Sequence, residues 1–537
     1  MLNKVFPFGL ACHHPQVESF SDRQPSGSWW MGSKASRTRH RDPPRRHLKE
    51  DGVLPEDVIV IILGYLNVAE LLVVRQCNKW LKHLTENRQF WTRIVSHPYF
   101  PRLASAPPID TLSTRTLEQL VRRQHELSRT WSPKRSVTAP IAVRRSYRLS
   151  MPNNESLTAM SSMDSWVAVA SDLGGVYVCA PFGSDAGQST KWVRMLSVSV
   201  EISKLSVAVW QSLGREYVAV MWAGRMVVGP EYRCGLVVAL AEDLVAVQSR
   251  VSGRVALSTS DFVLSSSIQL RNPASEVMEI ALGDRYCAVV DDAHITQVFM
   301  HRTPNGEPAE PINRSEFYGR YLSPRKTVTL QFLPNDQLLF KSYSFIAVYK
   351  PVAPDSSAMT TKSVLIAPST HSFGLLTQRR TANVPFMPDY MSLPLLALCN
   401  NGTEVAHFDL CAPPHDTEDG LVSDYRLSHR LSASYQLVPW IKPFSLGTIN
   451  GGHSRLVWIT SAGGRPFGIA LGRLSVGNGD PTLSYQTQLG LTGLDLGDYG
   501  KALAKHAPSE PLFAFHEGEG KLFGGIRGVP DLFMMNY

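Results

Sequence analysis

Two periods of hydrophobic and polar residues divide the chain, and the change between them falls near residue 140. From Leu54 to Ile94, apolar residues recur at the three- and four-residue spacing of helices. Beyond residue 140, short apolar segments alternate with turn residues, which is typical of strands. The pattern therefore predicts a small all-α region followed by a large all-β region.

The first predicted helix follows Pro55, which a helix tolerates in its first turn. Val58, Ile62 and Leu66 stand at i, i+4 and i+8, a spacing that places them on one face. Gly64 weakens the end of this helix, since glycine is a poor helix former. We expect a short amphipathic helix here.

Two more short helices are predicted before residue 97. Asn67, with Glu70 three residues later, resembles a capping box at the start of the second helix. The third carries Trp80, Leu81 and Leu84, and Phe90, Trp91 and Ile94 close the unit. After a proline-rich loop, a further helix is predicted with Thr116 as its cap and an apolar face formed by Leu117, Leu120, Val121, Leu127 and Trp131.

The rest of the chain predicts hairpins that recur every few tens of residues. Six segments carry the strand pattern: 166–178, 217–228, 286–290, 330–340, 395–408 and 456–460. Such recurrence over nearly 400 residues suits a β-propeller. A pair of β-sandwiches or a β-helix would give a similar texture. A final strand at Leu532–Met535 is expected to complete the first blade, which would leave no sheet edge unpaired.

The net charge of +8 belongs mainly to the start of the chain. Residues 1–50 hold nine Lys/Arg and four Asp/Glu, a net charge of +5, which leaves +3 for everything after them. We expect a disordered basic tail there, followed by a helical domain at 51–97, a linker with one helix at 98–139 and the strand-rich domain at 140–537. Residues 37–46 could be a nuclear import signal or a solvated basic stretch. No nucleic-acid partner is expected, because the charge does not mark a basic folded domain.

The seven cysteines are isolated, with no Cys-x-x-Cys pair. This spacing favours buried free thiols over a disulfide framework or a zinc site. No apolar stretch approaches the roughly 18 residues of a membrane helix, so no membrane partner is expected. We expect a cytoplasmic or nuclear protein.

The helical unit resembles an F-box. It opens with Leu54-Pro55-Glu56-Asp57-Val58, continues through Ile62-Leu63-Gly64-Tyr65-Leu66 and Glu70-Leu71-Leu72, and ends with Lys79-Trp80 and a second tryptophan, Trp91, eleven residues later. Cys77 stands where the family usually has valine. The resemblance covers less than a tenth of the chain. The order of F-box, linker helix and strand-rich half is similar to fungal F-box proteins with propeller-type C-terminal domains.

The resemblance implies a substrate-recruiting subunit of a ubiquitin ligase. A Skp-type adaptor would dock on the unit and connect it to a cullin–RING module, while the β-domain would bind a protein substrate. The adaptor-binding residues it implies are Leu54, Pro55, Ile59, Ile62, Leu66, Leu71 and Trp80. Leu71, Trp80 and Trp91 could instead be internal packing. A scaffold that binds the same adaptor without promoting ubiquitination is the alternative.

Motifs for bond-making chemistry are absent from the sequence: it has no Walker loop, no Gly-x-Ser-x-Gly elbow and no His-Glu-x-x-His. We therefore expect no catalytic residues, no cofactor and no metal. Asp291, Asp292 and His294 could be imagined as an acid–base or metal set, but this spacing at a strand end is more typical of a turn. An enzyme with a propeller fold is the least supported interpretation.

Overall fold

The chain divides after Pro55, and the unit that follows spans Glu56–Tyr537. The computed structural model describes residues 54–64, 66, 68–96, 109–130, 145–163, 166–179, 192–249, 262–293, 295–303, 305–318, 328–332, 337–341, 345–349, 361–366, 370–375, 392–399, 404–411, 426–434, 441–443, 455–462, 465–476, 487–494, 496–506, 509–516 and 520–537. The predicted tail at 1–50, the predicted cap Asn67, and Trp131 and His294 lie outside these residues.

Five helices form the helical unit. They are α1 (Glu56–Gly64), α2 (Val68–Cys77), α3 (Lys79–Thr85), α4 (Arg88–Val95) and α5 (Thr114–Thr130), with a 3-10 turn at Ile109–Thr111. The sequence predicts three helices before residue 97, and the structure has four. Phe90 and Trp91 lie in a helix of their own because Asn87 caps it, its Oδ1 accepting a hydrogen bond from Gln89 N at 3.0 Å.

The fifth helix begins at Thr114, two residues before its predicted cap Thr116. Thr116 N donates to Ser113 Oγ at 3.2 Å, so Ser113, not Thr116, satisfies the free backbone donor at this end. Leu117 and Val121 are buried, as predicted for its apolar face. The sequence pattern could not separate the two caps because Ser113 and Thr116 are both good capping residues.

One hydrophobic core holds all five helices together. Its buried members are Leu63, Leu71, Leu84, Phe90, Trp91, Val95, Leu117 and Val121. Because Leu117 and Val121 come from α5, the helix predicted as part of a linker belongs to the same packed unit as α1–α4.

The described strands of the β-region form seven four-stranded antiparallel sheets. Blade 1 holds β2 (Leu157–Met163), β3 (Trp166–Ser171), β4 (Gly175–Cys179) and β5 (Val193–Ser197); blade 2 holds β6 (Val200–Ser212), β7 (Arg215–Met226), β8 (Tyr232–Leu240) and β9 (Phe262–Ile268). Blade 3 holds β10 (Val277–Leu282), β11 (Tyr286–Asp291), β12 (Ile295–Arg302) and β13 (Pro308–Tyr318); blade 4 holds β14 (Thr329–Phe332), β15 (Leu338–Lys341), β16 (Phe345–Tyr349) and β17 (Thr361–Ile366).

The remaining strands complete three more blades. Blade 5 holds β18 (Thr370–Leu375), β19 (Ser392–Cys399), β20 (Glu404–Cys411) and β21 (Arg426–Ser434); blade 6 holds β22 (Ile441–Pro443), β23 (Arg455–Ala462), β24 (Arg465–Val476) and β25 (Thr487–Leu494). Blade 7 holds β26 (Pro511–His516), β27 (Lys521–Ile526), β28 (Asp531–Asn536) and β1 (Arg145–Ser150). Helix α6 (Ala241–Ser249) follows β8, and α7 (Gly497–Lys505) precedes β26.

In blades 1–6 the strands follow one another in chain order, and blade 7 adds β1 after β28. The first strands of neighbouring blades contact each other in the series β26, β2, β6, β10 and β14. Successive four-stranded sheets that pack through their first strands are the architecture of a β-propeller. The predicted fold is confirmed, and the β-sandwich and β-helix alternatives are excluded.

Blade 7 joins the two ends of the β-region. Strand β1 pairs with β28 from Arg145 opposite Asn536 to Ser150 opposite Asp531. The guanidinium of Arg148 donates to the Asp531 carboxylate at 2.6 and 2.9 Å. The sequence predicts the last strand completing the first blade; the structure has the reverse, with the first strand completing the last blade. Either arrangement pairs a strand from one end of the β-region with a strand from the other end.

The predicted hairpin at 217–228 is instead one long strand. The pair Ala223 and Gly224 suggests a turn, yet β7 continues through both to Met226. Strand β6 bulges between Ile202 and Lys204, and its backbone approaches β7 so closely that a Cβ on Gly224 would lie 2.2 Å from Glu201 O. Gly224 therefore allows a close backbone approach rather than a turn.

Candidate functional site

Helix α1 is apolar on two opposite faces. Leu63 is buried in the helical core and Ile59, one turn earlier, packs against it. Val58, Ile61 and Ile62, at i, i+3 and i+4, form a second face that is exposed, with Ile61 49% and Ile62 46% accessible. A helix that is apolar all round is normally buried on all sides, so the second face of α1 is a candidate binding surface.

Helices α2 and α3 each add exposed apolar side chains. Val73 is 59% exposed on α2, and Trp80 is 40% exposed in the first turn of α3. Asn78 fixes the start of α3, because its Oδ1 accepts a hydrogen bond from Trp80 N at 2.8 Å. Helix α3 contacts both α1 and α2. We call Val58, Ile61, Ile62, Val73 and Trp80 the apolar helical surface.

The seven residues implied as adaptor contacts fall into three groups. Leu54 and Pro55, which precede α1, and Ile62 and Trp80 are exposed. Ile59 and Leu66 are half-buried and pack against the helical core. Leu71 is fully buried at 0% exposure.

Leu71 is therefore a correction to the predicted site. Its side chain is one of the largest fully buried groups in the described chain, so it cannot present a surface to a partner. The Glu70-Leu71-Leu72 motif identifies a helix but not the direction in which each leucine points. Trp91, with 0% exposure, is core, as expected.

Sequence reasoning missed Ile61 and Val73 as surface residues. Ile61 lies one position from Ile62 on α1, and Val73 lies two from Leu71 on α2. Each helix has apolar residues at almost every position, so spacing alone does not tell the inward from the outward face. One signal could have found them. The unit has more large apolar side chains than a domain of about 40 residues can bury by itself.

Two arginines tie the helices of the unit together through polar contacts. Arg75 Nη1 donates to Glu118 Oε1 at 2.7 Å, and its guanidinium carbon lies 6.0 Å from the centre of the Trp91 ring. Arg88 donates to the carbonyl oxygens of Leu112, Ile109 and Asp110 at 2.5, 2.9 and 2.9 Å. Arg75 therefore ties α2 to α5, and Arg88 ties α4 to the turn before α5.

In the propeller, the groups with shifted pKa values include several buried ones that serve packing. Burial lowers the pKa of His301 to about 4, and its Nε2 lies 3.1 Å from Gly283 O. Burial raises the pKa of the Cys179 thiol to about 12 and raises those of Cys234 and Cys287. Cys77, by contrast, is exposed on α2, against the expectation of buried thiols. The buried imidazole and the three buried thiols are neutral and enclosed, so they are poorly placed for chemistry.

Glu155 is a buried carboxylate in the loop between β1 and β2. The Tyr177 hydroxyl approaches its two oxygens at 2.9 and 2.8 Å, and Asn153 Nδ2 donates to it at 3.0 Å. Burial by itself raises the pKa of Glu155, but hydrogen bonds from Ser171, Asn153 and Tyr177 and the charge of Arg194 bring it below its ordinary value. The carboxylate thus holds the loop to blade 1.

The Asp291 segment forms a turn in the structure. Asp291 Oδ1 accepts a hydrogen bond from Ile295 N at 2.8 Å across the link between β11 and β12. In the part of the chain that the structure describes, no three His, Cys, Asp or Glu side chains are grouped so that they could hold a metal ion. Among the same residues, no helix is long and apolar enough to cross a membrane.

Comparison with known proteins identifies the helical unit. Residues 52–97 match the family model described as F-box-like, so the chain carries an F-box-like domain followed by a propeller. A search of curated protein sequences finds no match.

Solved structures similar to this chain include one titled "YCF48 bound to D1 peptide" at 13% identity, covering 73% of this chain and 97% of that one with a TM-score of 0.33. A chain of a mitotic checkpoint complex is similar at 11% identity, with coverages of 75% and 96% and a TM-score of 0.37. The β-propeller domain of Cps50 (Swd1) from Myceliophteria thermophila is similar at 10% identity, with coverages of 71% and 99% and a TM-score of 0.37.

Proposed function

We propose that the chain is the substrate-recruiting subunit of an SCF-type ubiquitin ligase. Its F-box-like domain binds a Skp-type adaptor, the adaptor brings a cullin–RING module, and the propeller binds a protein substrate. The chain itself makes and breaks no bonds. It raises the concentration of the substrate beside the ubiquitin-charged enzyme.

The exposed apolar face of α1 is the observation that carries this proposal. Val58, Ile61 and Ile62 are solvent-facing on a helix whose opposite face already fills the helical core. Soluble chains rarely leave several large apolar groups exposed together unless another surface covers them. This face lies within residues 52–97, the part that matches the F-box-like model.

The proposed adaptor contacts are Leu54, Pro55, Ile62 and Trp80, with Val58, Ile61 and Val73 added by their exposure. Ile59 and Leu66 contribute their half-buried edges. Burial of each large apolar side chain contributes about 1.5–3 kcal/mol. Loss of translational and rotational freedom offsets about 4–15 kcal/mol of the total. Five or six such side chains therefore suffice for a stable joint.

Affinity purification of the tagged full chain from a cell extract, followed by identification of its partners, tests the proposal. The test compares wild type with Leu54→Ala/Pro55→Ala and with Ile62→Asp/Trp80→Ala. Adaptor and cullin should both be recovered with wild type and both lost with either variant. Leu213→Asn is the matched control, because Leu213 is 77% exposed in a propeller turn and its replacement should leave recovery unchanged.

Recovery of the adaptor without a cullin would instead favour the scaffold function. If neither partner is recovered with a folded wild-type chain, the proposal that the F-box-like domain binds a Skp-type adaptor is wrong.

A further inference from the structure

Two turns at one end of blades 1 and 2 expose large aliphatic side chains. The β3–β4 turn carries Leu173, which is 68% exposed. The β7–β8 turn carries Val227 and Val228, which are 68% and 83% exposed. The β5–β6 link, residues 198–199, lies between them in the chain. We call Leu173, Val227 and Val228 the apolar rim.

Backbone hydrogen bonds join these turns into one continuous edge. Val198 N donates to Gly174 O at 3.0 Å, and Val227 N donates to Ser199 O at 3.3 Å. Gly174 has φ +73, and a Cβ there would lie 1.9 Å from Val198 O, so only glycine permits this approach. Leu173 and the two valines are therefore fixed on neighbouring turns.

A single exposed aliphatic residue needs no explanation, but a cluster of them does. Turns favour Gly, Pro, Asn, Asp and Ser for their backbone geometry. The conformation of these turns does not require Leu or Val at their tips. Three such residues on hydrogen-bonded turns are typical of a surface that another molecule covers.

Several charged residues act on Tyr232, which lies at the base of the β7–β8 turn. Arg225 on β7 lies opposite Tyr232 on β8 at the base of the β7–β8 turn. On its other side, Arg225 lies opposite Glu201 on β6. Asp292 N donates to Glu276 O at 2.8 Å on the adjoining turns of blade 3. Burial raises the pKa of Tyr232, and Glu276, Asp292 and Glu201 raise it further against the opposing effect of Arg225. Three carboxylates and one guanidinium thus act on the Tyr232 hydroxyl.

We propose that this end of blades 1–3 binds a protein segment that carries Lys or Arg next to an aliphatic residue. The aliphatic residue packs on Leu173, Val227 and Val228. The cation lies among the carboxylates around Tyr232, whose ring offers a face for it. If the chain recruits substrates as proposed above, this surface is where the substrate docks, and its recognition element is basic and apolar.

The same charges oppose other classes of ligand. A phosphorylated segment needs clustered Arg or Lys, and a nucleic acid or an anionic membrane needs a basic surface. Around Tyr232 the carboxylates of Glu201, Glu276 and Asp292 act against the guanidinium of Arg225, so this part of the surface disfavours an anionic ligand. Added salt should weaken the contribution of the cation, because exposed charges are screened, and should spare the aliphatic contribution.

Selection of a random-peptide library displayed on phage, with the full-length chain as bait, tests the proposal. Enriched peptides should place Lys or Arg beside Leu, Ile or Val. A fluorescein-labelled synthetic copy of the strongest peptide should lose about tenfold or more of its affinity for Val227→Ser/Val228→Ser. It should also weaken with Glu276→Gln/Asp292→Gln, and that variant should show less dependence on salt.

Leu213→Asn is the control, because Leu213 lies in the β6–β7 turn at the opposite end of the same strands and its φ of +51 suits asparagine. Enrichment of acidic peptides, absence of any enrichment, or equal binding by wild type and the rim variants would overturn the proposal. Adaptor binding by the same preparations reports separately on the proposed function, so failure of one is distinguishable from failure of the other.

Discussion

Arg75 on α2 donates a hydrogen bond to Glu118 on α5, with 2.7 Å between Nη1 and Oε1. Both side chains are mostly buried, at 11% and 18% exposure, and Arg75 also lies over the Trp91 ring. This contact joins the F-box-like domain to the helix that follows it. Residues 114–130 are thus a structural part of the helical unit, and a truncation after residue 97 would remove Leu117 and Val121 from its core.

Arg75→Ala should loosen α5. Its loss leaves the Glu118 carboxylate with the more exposed Arg122 as its remaining ion-pair partner among the described residues, at 2.6 Å. A hydrogen bond to a charged group contributes about 1.5–3 kcal/mol. Hydrogen–deuterium exchange of peptides covering residues 114–130 should accelerate in this variant and not in Arg123→Ala, an exposed arginine of the same helix. Equal exchange in all three chains would show that Arg75 does not hold α5.

Leu71→Ala and Val73→Ala should separate folding from binding. Leu71 is fully buried, and truncation of such a leucine costs about 2–5 kcal/mol of unfolding free energy. Val73 is exposed, and its truncation should change stability by less than about 0.5 kcal/mol. Thermal unfolding monitored by circular dichroism measures both changes in stability. Adaptor affinity, measured on the same chains, should fall for Val73→Ala, because its exposed side chain belongs to the proposed contact surface. A stable Leu71→Ala chain that specifically loses the adaptor would restore Leu71 as a contact residue.

Gly224→Ala should destabilise blade 2. The added methyl group would lie 2.2 Å from Glu201 O and 2.7 Å from Ile202 Cα, and backbone atoms cannot rotate away as a side chain does. Overpacking of this kind costs about 1–3 kcal/mol. Chemical denaturation should show a lower midpoint than for wild type or for Leu213→Asn, whose exposed turn position already carries a side chain at φ +51. An unchanged midpoint would mean that β6 and β7 are farther apart at this bulge.

His301 should make the propeller less stable in acid. Burial lowers its pKa from 6.5 to about 4, with Arg302 lowering it further and Gly283 O and Asp284 acting in the opposite direction. Above pH 6.5 the imidazole is neutral in both states. Below it, the unfolded chain binds a proton that the folded chain refuses, so stability falls as the pH drops from about 6.5 toward 4, by up to about 1.4 kcal/mol per pH unit.

Denaturation midpoints measured between pH 7 and 4.5 test this effect. The difference between wild type and His301→Gln should shrink as the pH falls, because glutamine has no proton to bind. A constant difference across the range would show that His301 is not the group responsible.

The sequence predicts much of this architecture because local patterns dictate it. The hairpin at 166–178 became β3 and β4, and the segment at 395–408 became β19 and β20, since alternating residues between turn signals leave few other options. The sequence could not give the number of blades. The number of blades depends on strand pairings between distant residues, such as β1 with β28, whose paired residues are nearly 400 positions apart.

Errors arose where one pattern fits two structures. Gly224 looked like a turn because glycine marks both turns and close backbone approaches. In the candidate site, α1 and α2 are apolar at most positions, so only the packed structure separates Leu71 from Val73.

Direct binding of the purified full-length chain to a purified Skp-type adaptor, measured by isothermal titration calorimetry, tests the central claim most simply. Wild type should bind with a negative heat-capacity change, the mark of apolar burial. Ile61→Asp and Trp80→Ala should each weaken binding about tenfold or more, while Leu213→Asn should not. Absence of binding by a folded wild-type chain, or equal binding by all four chains, would contradict the account.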